Sequence, residues 1–392
     1  MTISQATTAA LADQLVRELE EDGAITPEWA ESVRAVPRHR FLPDQIWTAS
    51  SDGADDNTLY DRRKDRAAWK QQAYRNISCI TQWDDGLGDE HRIPTSSCSM
   101  PSVVTRMLVD LDLYEGHQVL EIGTGTGWSS GIMAHRLGGG RVYTVEVDTT
   151  VAGQAKANLA AAGLSPNLRV GDGRLGWARK NIPHDRTVFT CGIKTLPAEI
   201  LTQTRPGGIV LAPWQTPWIS WGTARLTVQD DGSAQGGFLP YGVFMTLRQQ
   251  RLQNRTVHEV IDTTLPTDQS FTTLDPWETA VRDADARFAL GVHLGDVRYT
   301  KHYEPGIDGV KDRLWLWDDA QTSWAAVDWN GDDAQTSFAV TQAGPRRLWD
   351  EVERAFQWWK DNDQPGPARF RMTIAPSGQY RYALDEPDRF LP

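Results

Sequence analysis

Cysteine is scarce in this chain: three among 392 residues, at Cys79, Cys98 and Cys191. Three widely spaced thiols without a CxxC pair build neither a disulfide framework nor a zinc knuckle, so the expectation is free thiols in a reducing cytoplasm. No apolar run approaches the roughly 20 residues that span a bilayer. The opening segment MTISQATTAALADQLVRELEEDG is amphipathic and carries acids, unlike a secretion signal. Basic charge is also short: 40 Lys and Arg stand against 52 Asp and Glu, a net charge of −12. A general nucleic-acid binder needs a cationic surface to displace counterions from phosphate, so that class is set aside, though a local basic pocket is not. His, Cys and acidic residues nowhere fall at metal-ligand spacing, and no metal is expected.

What the chain has in quantity is tryptophan, 17 in all, eleven of them after residue 210. Tryptophan gathers where a protein grips another surface and also in large cores, and composition leaves the two open. A hydrophobic share of 40% with 23% charged residues suits one large core or two ordinary ones.

Apolar positions Ala9, Leu11, Leu15, Val16 and Leu19 have helical spacing over 8–20. An acidic and arginine-rich stretch runs to about residue 75, and 76–98 reads as irregular around WDDGLGDEHRIP. A helix is expected from Pro101 to Leu111. From residue 117 the runs HQVLEIG, RVYTVEVD, LRVGDG, TVFTCG and IVLAPW read as strands, alternating with helices at 128–137, QAKANLAAAG and PAEILTQT. That alternation predicts βαβ units and a mostly parallel, Rossmann-like sheet. Beyond residue 250 it stops. RLWLWDD and TSWAAVDW read as a hairpin, Asn330-Gly331 as a turn, RRLWDEVERAFQWWKD as an amphipathic helix and RFRMTIAPSGQYRYAL as a second hairpin. The hexapeptide DDAQTS occurs at 318–323 and 332–337, suggesting two similar hairpin edges. The expected organisation is therefore a core domain over 1–250, with a helical cap and loop to residue 100, and a C-terminal α+β accessory domain over 251–392. The accessory domain is read either as a peptide-recognition surface or as a packed brace.

VLEIGTGTGW carries the clearest chemistry. Gly123, Gly125 and Gly127 let the backbone turn sharply beneath a ligand at the start of a helix. Glu121 precedes the turn, where a pyrophosphate clamp should not place a carboxylate. Glu146 ends the next strand, 23 residues after Gly123, where an acid can accept both hydroxyls of a ribose. Asp172, between Gly171 and Gly173, can accept from an adenine amino group. With Thr124 and Val147 beside them, these residues point to S-adenosylmethionine, leaving S-adenosylhomocysteine as product. A purely structural βαβ turn and a nicotinamide dinucleotide site are the alternatives.

Several of these segments together resemble the protein-L-isoaspartate O-methyltransferases. AVPRHRFLP at 35–43 and SCSMP at 97–101 are similar to that family's N-terminal signature and its hydroxyl element, and VLEIGTGTGW, VYTVEVD, VGDGRLGW and LTQTRPGGIVLAP follow in order, over about residues 30–215. The resemblance implies a class I methyltransferase fold and a carboxyl O-methyltransferase. It implies Ser99 as the substrate-carboxylate serine, with Ser97 in the place of the threonine two residues before it. The competing reading of Ser99 is a cap for the helix opened by Pro101. A carboxylate nucleophile is already ionised, so no strong base is required; alignment is what the protein must supply.

Three features depart from the small repair enzymes: a longer segment between Phe41 and Thr95 carrying ITQWDDGLGD, TCGIKTLP after strand four, and the C-terminal region. All three resemble larger actinobacterial relatives associated with ribosomal peptides of the graspetide, lanthipeptide or lasso type. That likeness implies methylation of an aspartate in a modified, macrocyclic precursor peptide, with collapse to aspartimide and then isoaspartate. General isoaspartate repair is the alternative, and a non-catalytic binder of isoaspartyl or cyclic peptides is the alternative of another class. Candidate substrate contacts are Ser96, Asp84, Asp85, His39 and Lys194. The plain readings beside them are a solvated turn for the two aspartates, structural hydrogen bonding for Arg38 and His39, and a surface lysine. No membrane or nucleic-acid partner is expected.

Overall fold

Most of the apolar runs between 117 and 214 become strands buried on both faces, the edge strand at 167–170 being the exception. In the first, Val119 joins one core while Leu120 and Ile122 join the other, because successive side chains point to opposite sides. The computed structural model describes residues 7–49, 57–88, 90–178, 183–251, 256–304 and 306–391. Its strands are β1 (Gln45–Ala49), β2 (Asn57–Asp61), β3 (Cys79–Trp83), β4 (Pro94–Cys98), β5 (Val119–Ile122), β6 (Val142–Glu146), β7 (Asn167–Val170), β8 (His184–Phe189) and β9 (Thr204–Pro213), then β10 (Thr223–Val228), β11 (Ala234–Leu239), β12 (Thr267–Thr272), β13 (Val297–Tyr303), β14 (Asp312–Asp318), β15 (Trp324–Trp329), β16 (Phe338–Ala343), β17 (Phe370–Ile374) and β18 (Tyr380–Leu384). The helices are α1 (Thr8–Glu21), α2 (Pro27–Ala35), α3 (Arg66–Ala73), α4 (Pro101–Asp110), α5 (Trp128–Leu137), α6 (Thr149–Ala161), α7 (Ala198–Gln203), α8 (Val257–Val260), α9 (Ala284–His293) and α10 (Leu348–Asp361).

A nine-stranded sheet in the order β18-β17-β11-β10-β9-β8-β5-β6-β7 forms the centre. The five expected strands, β5 to β9, are parallel, and β10, β11, β17 and β18 continue the sheet antiparallel. The chain winds outward from β5 in one direction and returns to its other side through β8. That reversal opens a crevice at the strands' C-terminal ends. One face of the sheet packs under α1, α2, α4 and α5. The other shares a single core with α9, α10 and the inner face of an antiparallel sheet ordered β12-β16-β15-β14-β13.

Two expectations need correction. Residues 76–98 are not irregular throughout: on either side of the loop, β3 and β4 pair antiparallel, Cys79 opposite Cys98 and Ile80 opposite Ser97, in a four-stranded sheet with β1 and β2. Their polar sequences hide this, since the backbone ladder rather than apolar alternation holds them. The closing hairpin β17–β18 does not stay with the accessory region. It pairs onto β11, with Ala234 opposite Ile374, so the chain's last strands complete the central sheet across the expected boundary at residue 250.

Each tryptophan is buried or half-buried. Trp315 and Trp324 pack with Val257 and Val260 of α8, whereas Trp349 and Trp359 enter the shared core. The abundance of tryptophan is thus a property of the interior. The two DDAQTS copies lie in successive β connections. In the first, Asp318 accepts from the backbone N–H groups of Thr322 and Ser323.

Candidate active site

At the tip of β5 the chain turns through Gly123, Gly125 and Gly127, with φ of +97°, +56° and +88°, a region that favours glycine. The Gly125 amide donates to Glu146 Oε2 at 2.9 Å, and the Asp148 amide donates to Glu146 Oε1 at 3.1 Å. Each carboxylate oxygen keeps a lone pair for a ligand hydroxyl. Gly173 closes the floor: a Cβ there would stand 2.5 Å from Ile122 Cγ2. Above these turns lies a cavity of about 1250 Å³, walled by the ends of β4, β5 and β6 and roofed by residues 240–251.

Glu121 is fully buried. It sits under the first turn of α5 and accepts from the hydroxyls of Ser129, Ser130 and Thr144. Burial pushes its carboxyl upward, and the three hydroxyls act in the opposite direction. Thr124 Oγ1 lies 2.6 Å from Thr144 Oγ1, and Val147 is on the cavity wall. Asp172 is drawn aside. Its carboxylate takes the Arg174 amide at 2.9 Å and the Arg174 guanidinium at 2.7 Å. That partner holds it below the usual carboxylate range, and only its neighbour Gly173 reaches the wall.

The helix cap comes from elsewhere than Ser99. Met100 is the N-cap of α4 and contributes no side-chain bond. The Met100 amide donates to Ser78 Oγ at 3.1 Å and the Ser102 amide to Asn76 Oδ1 at 2.9 Å. With capping done by the β3 approach, Ser97 and Ser99 are among the residues lining the cavity. Ser96, also on the wall, accepts from Thr81 Oγ1 at 3.1 Å. The hydroxyl strand is held against the glycine turn, since the Ser97 carbonyl would stand 3.4 Å from a Cβ on Gly125. Its position is set from behind by the buried Arg38, whose guanidinium donates to the carbonyls of Ala73, Arg75, Ile77, Cys98 and Ser99 at 2.8–3.2 Å.

Other candidates separate. Lys194 and Cys191 line the cavity. Burial pushes the Lys194 ammonium down to about 8 and the Cys191 thiol upward. His39 lies off the wall, its Nδ1 2.6 Å from Tyr74 Oη, and burial with neighbouring cations brings it down to about 4. No histidine lines the cavity among the described residues. Asp84 accepts three backbone N–H groups of its own loop. Asp85 is paired with Arg248 and Arg251. Those two arginines, together with Asp148, Trp221, Tyr241 and Phe244, are cavity residues that sequence reading missed. Nothing local marks LRQQR at 247–251 as part of the site; only the fold returns it there. Nor does RLWLWDD reach the cavity, whose described lining ends at Arg251.

The donor set fits S-adenosylmethionine. Glu121, Glu146 and Asp148 surround the glycine turn, an arrangement suited to a cationic sulfonium and a ribose diol and hostile to a diphosphate. Among the described residues no cluster of His, Cys, Asp or Glu is arranged to hold a metal.

Comparison with known proteins agrees. Residues 60–251 match the family described as Protein-L-isoaspartate(D-aspartate) O-methyltransferase (PCMT). The chain is 38% identical over 185 residues to the Methanosarcina mazei protein-L-isoaspartate O-methyltransferase, spanning 47% of this chain and 62% of that protein's length. It is 30% identical over 203 residues to the Ignicoccus hospitalis protein of the same name, covering 51% of this chain and 80% of that one. A solved structure named protein-L-isoaspartate O-methyltransferase aligns over 96% of this chain and 100% of its own, with a TM-score of 0.54 at 18% identity, a likeness of fold.

Proposed function

Because the chain belongs to the protein-L-isoaspartate O-methyltransferase family, we propose that its cavity brings S-adenosylmethionine to a peptide carboxylate and esterifies it. The observation that carries this is Ser99: a hydroxyl on the cavity wall, bonded to no other group among the described residues and released from capping duty, beside a glycine turn edged by carboxylates.

Glu146 and the floor at Gly173 would hold the nucleoside, and Glu121, gripped by three hydroxyls, braces the turn from beneath. When bound, S-adenosylmethionine supplies an activated methyl group for in-line displacement. The chain's own work is orientation. Ser99, with Ser97 beside it, donates to one oxygen of the incoming carboxylate and leaves the other free to attack. Apolar wall residues such as Val104, Met107 and Val188 keep water out. No base is needed, because the carboxylate nucleophile is already ionised.

For the substrate we favour an aspartate in a modified, macrocyclic ribosomal peptide over general isoaspartyl repair. One feature supports this: the DDG segment between β3 and β4, which Asp85 ties to Arg248 and Arg251 on the cavity wall. The methyl ester would close to aspartimide when the following backbone amide expels methanol, a step the ring of the substrate promotes by holding the geometry. A reducing, cytoplasmic setting suits the three free cysteines. Incubation with S-adenosylmethionine and a panel of linear isoaspartyl and macrocyclic aspartyl peptides, read by mass spectrometry, tests both levels. A mass gain of one methyl ester followed by loss of methanol on the macrocycle is the expected result. Esterification of linear isoaspartyl peptides alone would establish repair instead, and no ester on any peptide would overturn catalysis.

A further inference from the structure

Asp85 does more than shape a turn. In the strap between β3 and β4, Asp84, Asp85 and Arg92 hold φ angles of 47°, 55° and 49°, a conformation that residues with side chains adopt at a cost. Asp84 offsets part of that cost by accepting the amides of His91, Arg92 and Ile93 at 3.0, 3.0 and 2.9 Å. The strap so formed presents Asp85 to a segment 166 residues away in the chain. There Arg251 Nη1 donates to both carboxylate oxygens at 2.9 Å and Arg248 Nη2 lies 2.9 Å from Oδ1. Arg248 Nη2 also reaches Asp148 Oδ2 at 3.2 Å, an oxygen shared with Gln82 Nε2 of β3 at 3.2 Å. The Asp148 amide in turn is bonded to Glu146. An unbroken polar chain therefore runs from strap to roof to the carboxylate that holds the glycine turn. Both arginines are on the cavity wall, as are Ile93 and Thr95 at the strap's end.

We propose that this ionic closure is a latch over the cofactor. Asp85, acting through Arg248 and Arg251, is a positioning residue that holds the strap to the roof and sets how long the nucleoside stays bound. This rests on the cofactor reading above. The side chains of Asp85, Arg248 and Arg251 are 34%, 28% and 26% exposed. Ion pairs so placed hold weakly and are screened by salt, unlike an apolar seal, so the latch can open on each turnover.

Release of S-adenosylhomocysteine from the full-length protein, followed by stopped-flow tryptophan fluorescence, reads the latch directly, since Trp128 and Trp221 line the cavity. Asp85→Asn is expected to release it about 5-fold faster. The wild-type rate should climb with salt while the variant's stays flat. Asp85→Glu should recover part of the slow release, and Arg251→Gln should reproduce the acceleration from the other side, which keeps the test decisive if one variant folds poorly. Equal rates and equal salt slopes in wild type and both charge-removing variants would overturn the latch while leaving the cofactor reading intact. A wild type that binds no S-adenosylhomocysteine would overturn both.

Discussion

On the function proposed above, two side chains decide whether the hydroxyl strand works. Ser99 is on the cavity wall, and Arg38 behind it ties the Ser99 and Cys98 carbonyls to the loop after α3. Ser99→Ala removes one donor without touching the glycine turn. It should lower methyl transfer by about 100-fold with S-adenosylhomocysteine affinity unchanged by calorimetry. Equal loss of both would make Ser99 structural. Arg38→Met should act differently, because it takes the donor from five carbonyls, two of them in buried contacts and three in half-buried ones. The expected cost is about 3 kcal/mol of stability in urea unfolding, with activity falling as a consequence of the displaced strand. RHRF at 38–41 was legible as a motif, but its role was not. A guanidinium that meets carbonyls 35 to 61 residues away leaves no local pattern.

Among the elements, the closing hairpin is the least expected. β17 and β18 bring Phe370, Met372, Ile374 and Leu384 into the shared core, and β17 covers the edge of β11. Ending the chain at residue 366 exposes that edge and removes four large apolar side chains, each contributing about 2 kcal/mol. The expected product is aggregated, or lacks a cooperative melt and near-ultraviolet dichroism. A soluble, cooperatively folded truncation would show the hairpin to be an accessory. Strands β5 and β6 and helices α4, α5 and α7 were readable within a residue or two, and β7 to β9 were recognised with ends up to five residues off, since a buried strand and a helix with one apolar stripe write their periods into the sequence. β3 and β4 were not, because their stability lies in cross-strand pairing.

Across the whole molecule, two half-buried imidazoles tie stability to pH. Burial, followed by Arg40, Lys70, Arg62 and Arg66, depresses His39 to about 4, and burial alone brings His293 to about 4. Both are neutral when folded, whereas an unfolded histidine gains its proton near 6.5. Their contribution is therefore complete above pH 6.5 and is lost progressively as pH falls toward about 4. Urea midpoints should decline across that window, and a His39→Gln, His293→Gln double variant should flatten the slope. An unchanged slope would assign the decline to carboxylates.

By itself the sequence determined the parallel half of the sheet, the glycine turn, Glu146 at its strand tip and the hydroxyl run, because each is a local pattern with a local cause. Tertiary structure alone decided that Ser99 is free, that Asp85 meets Arg248 and Arg251, and that the last hairpin completes the first domain's sheet. The physical reason is common to most of these. They depend on which unsatisfied backbone or charged group comes to rest beside which other, and in a chain of this length those partners lie tens to hundreds of residues apart.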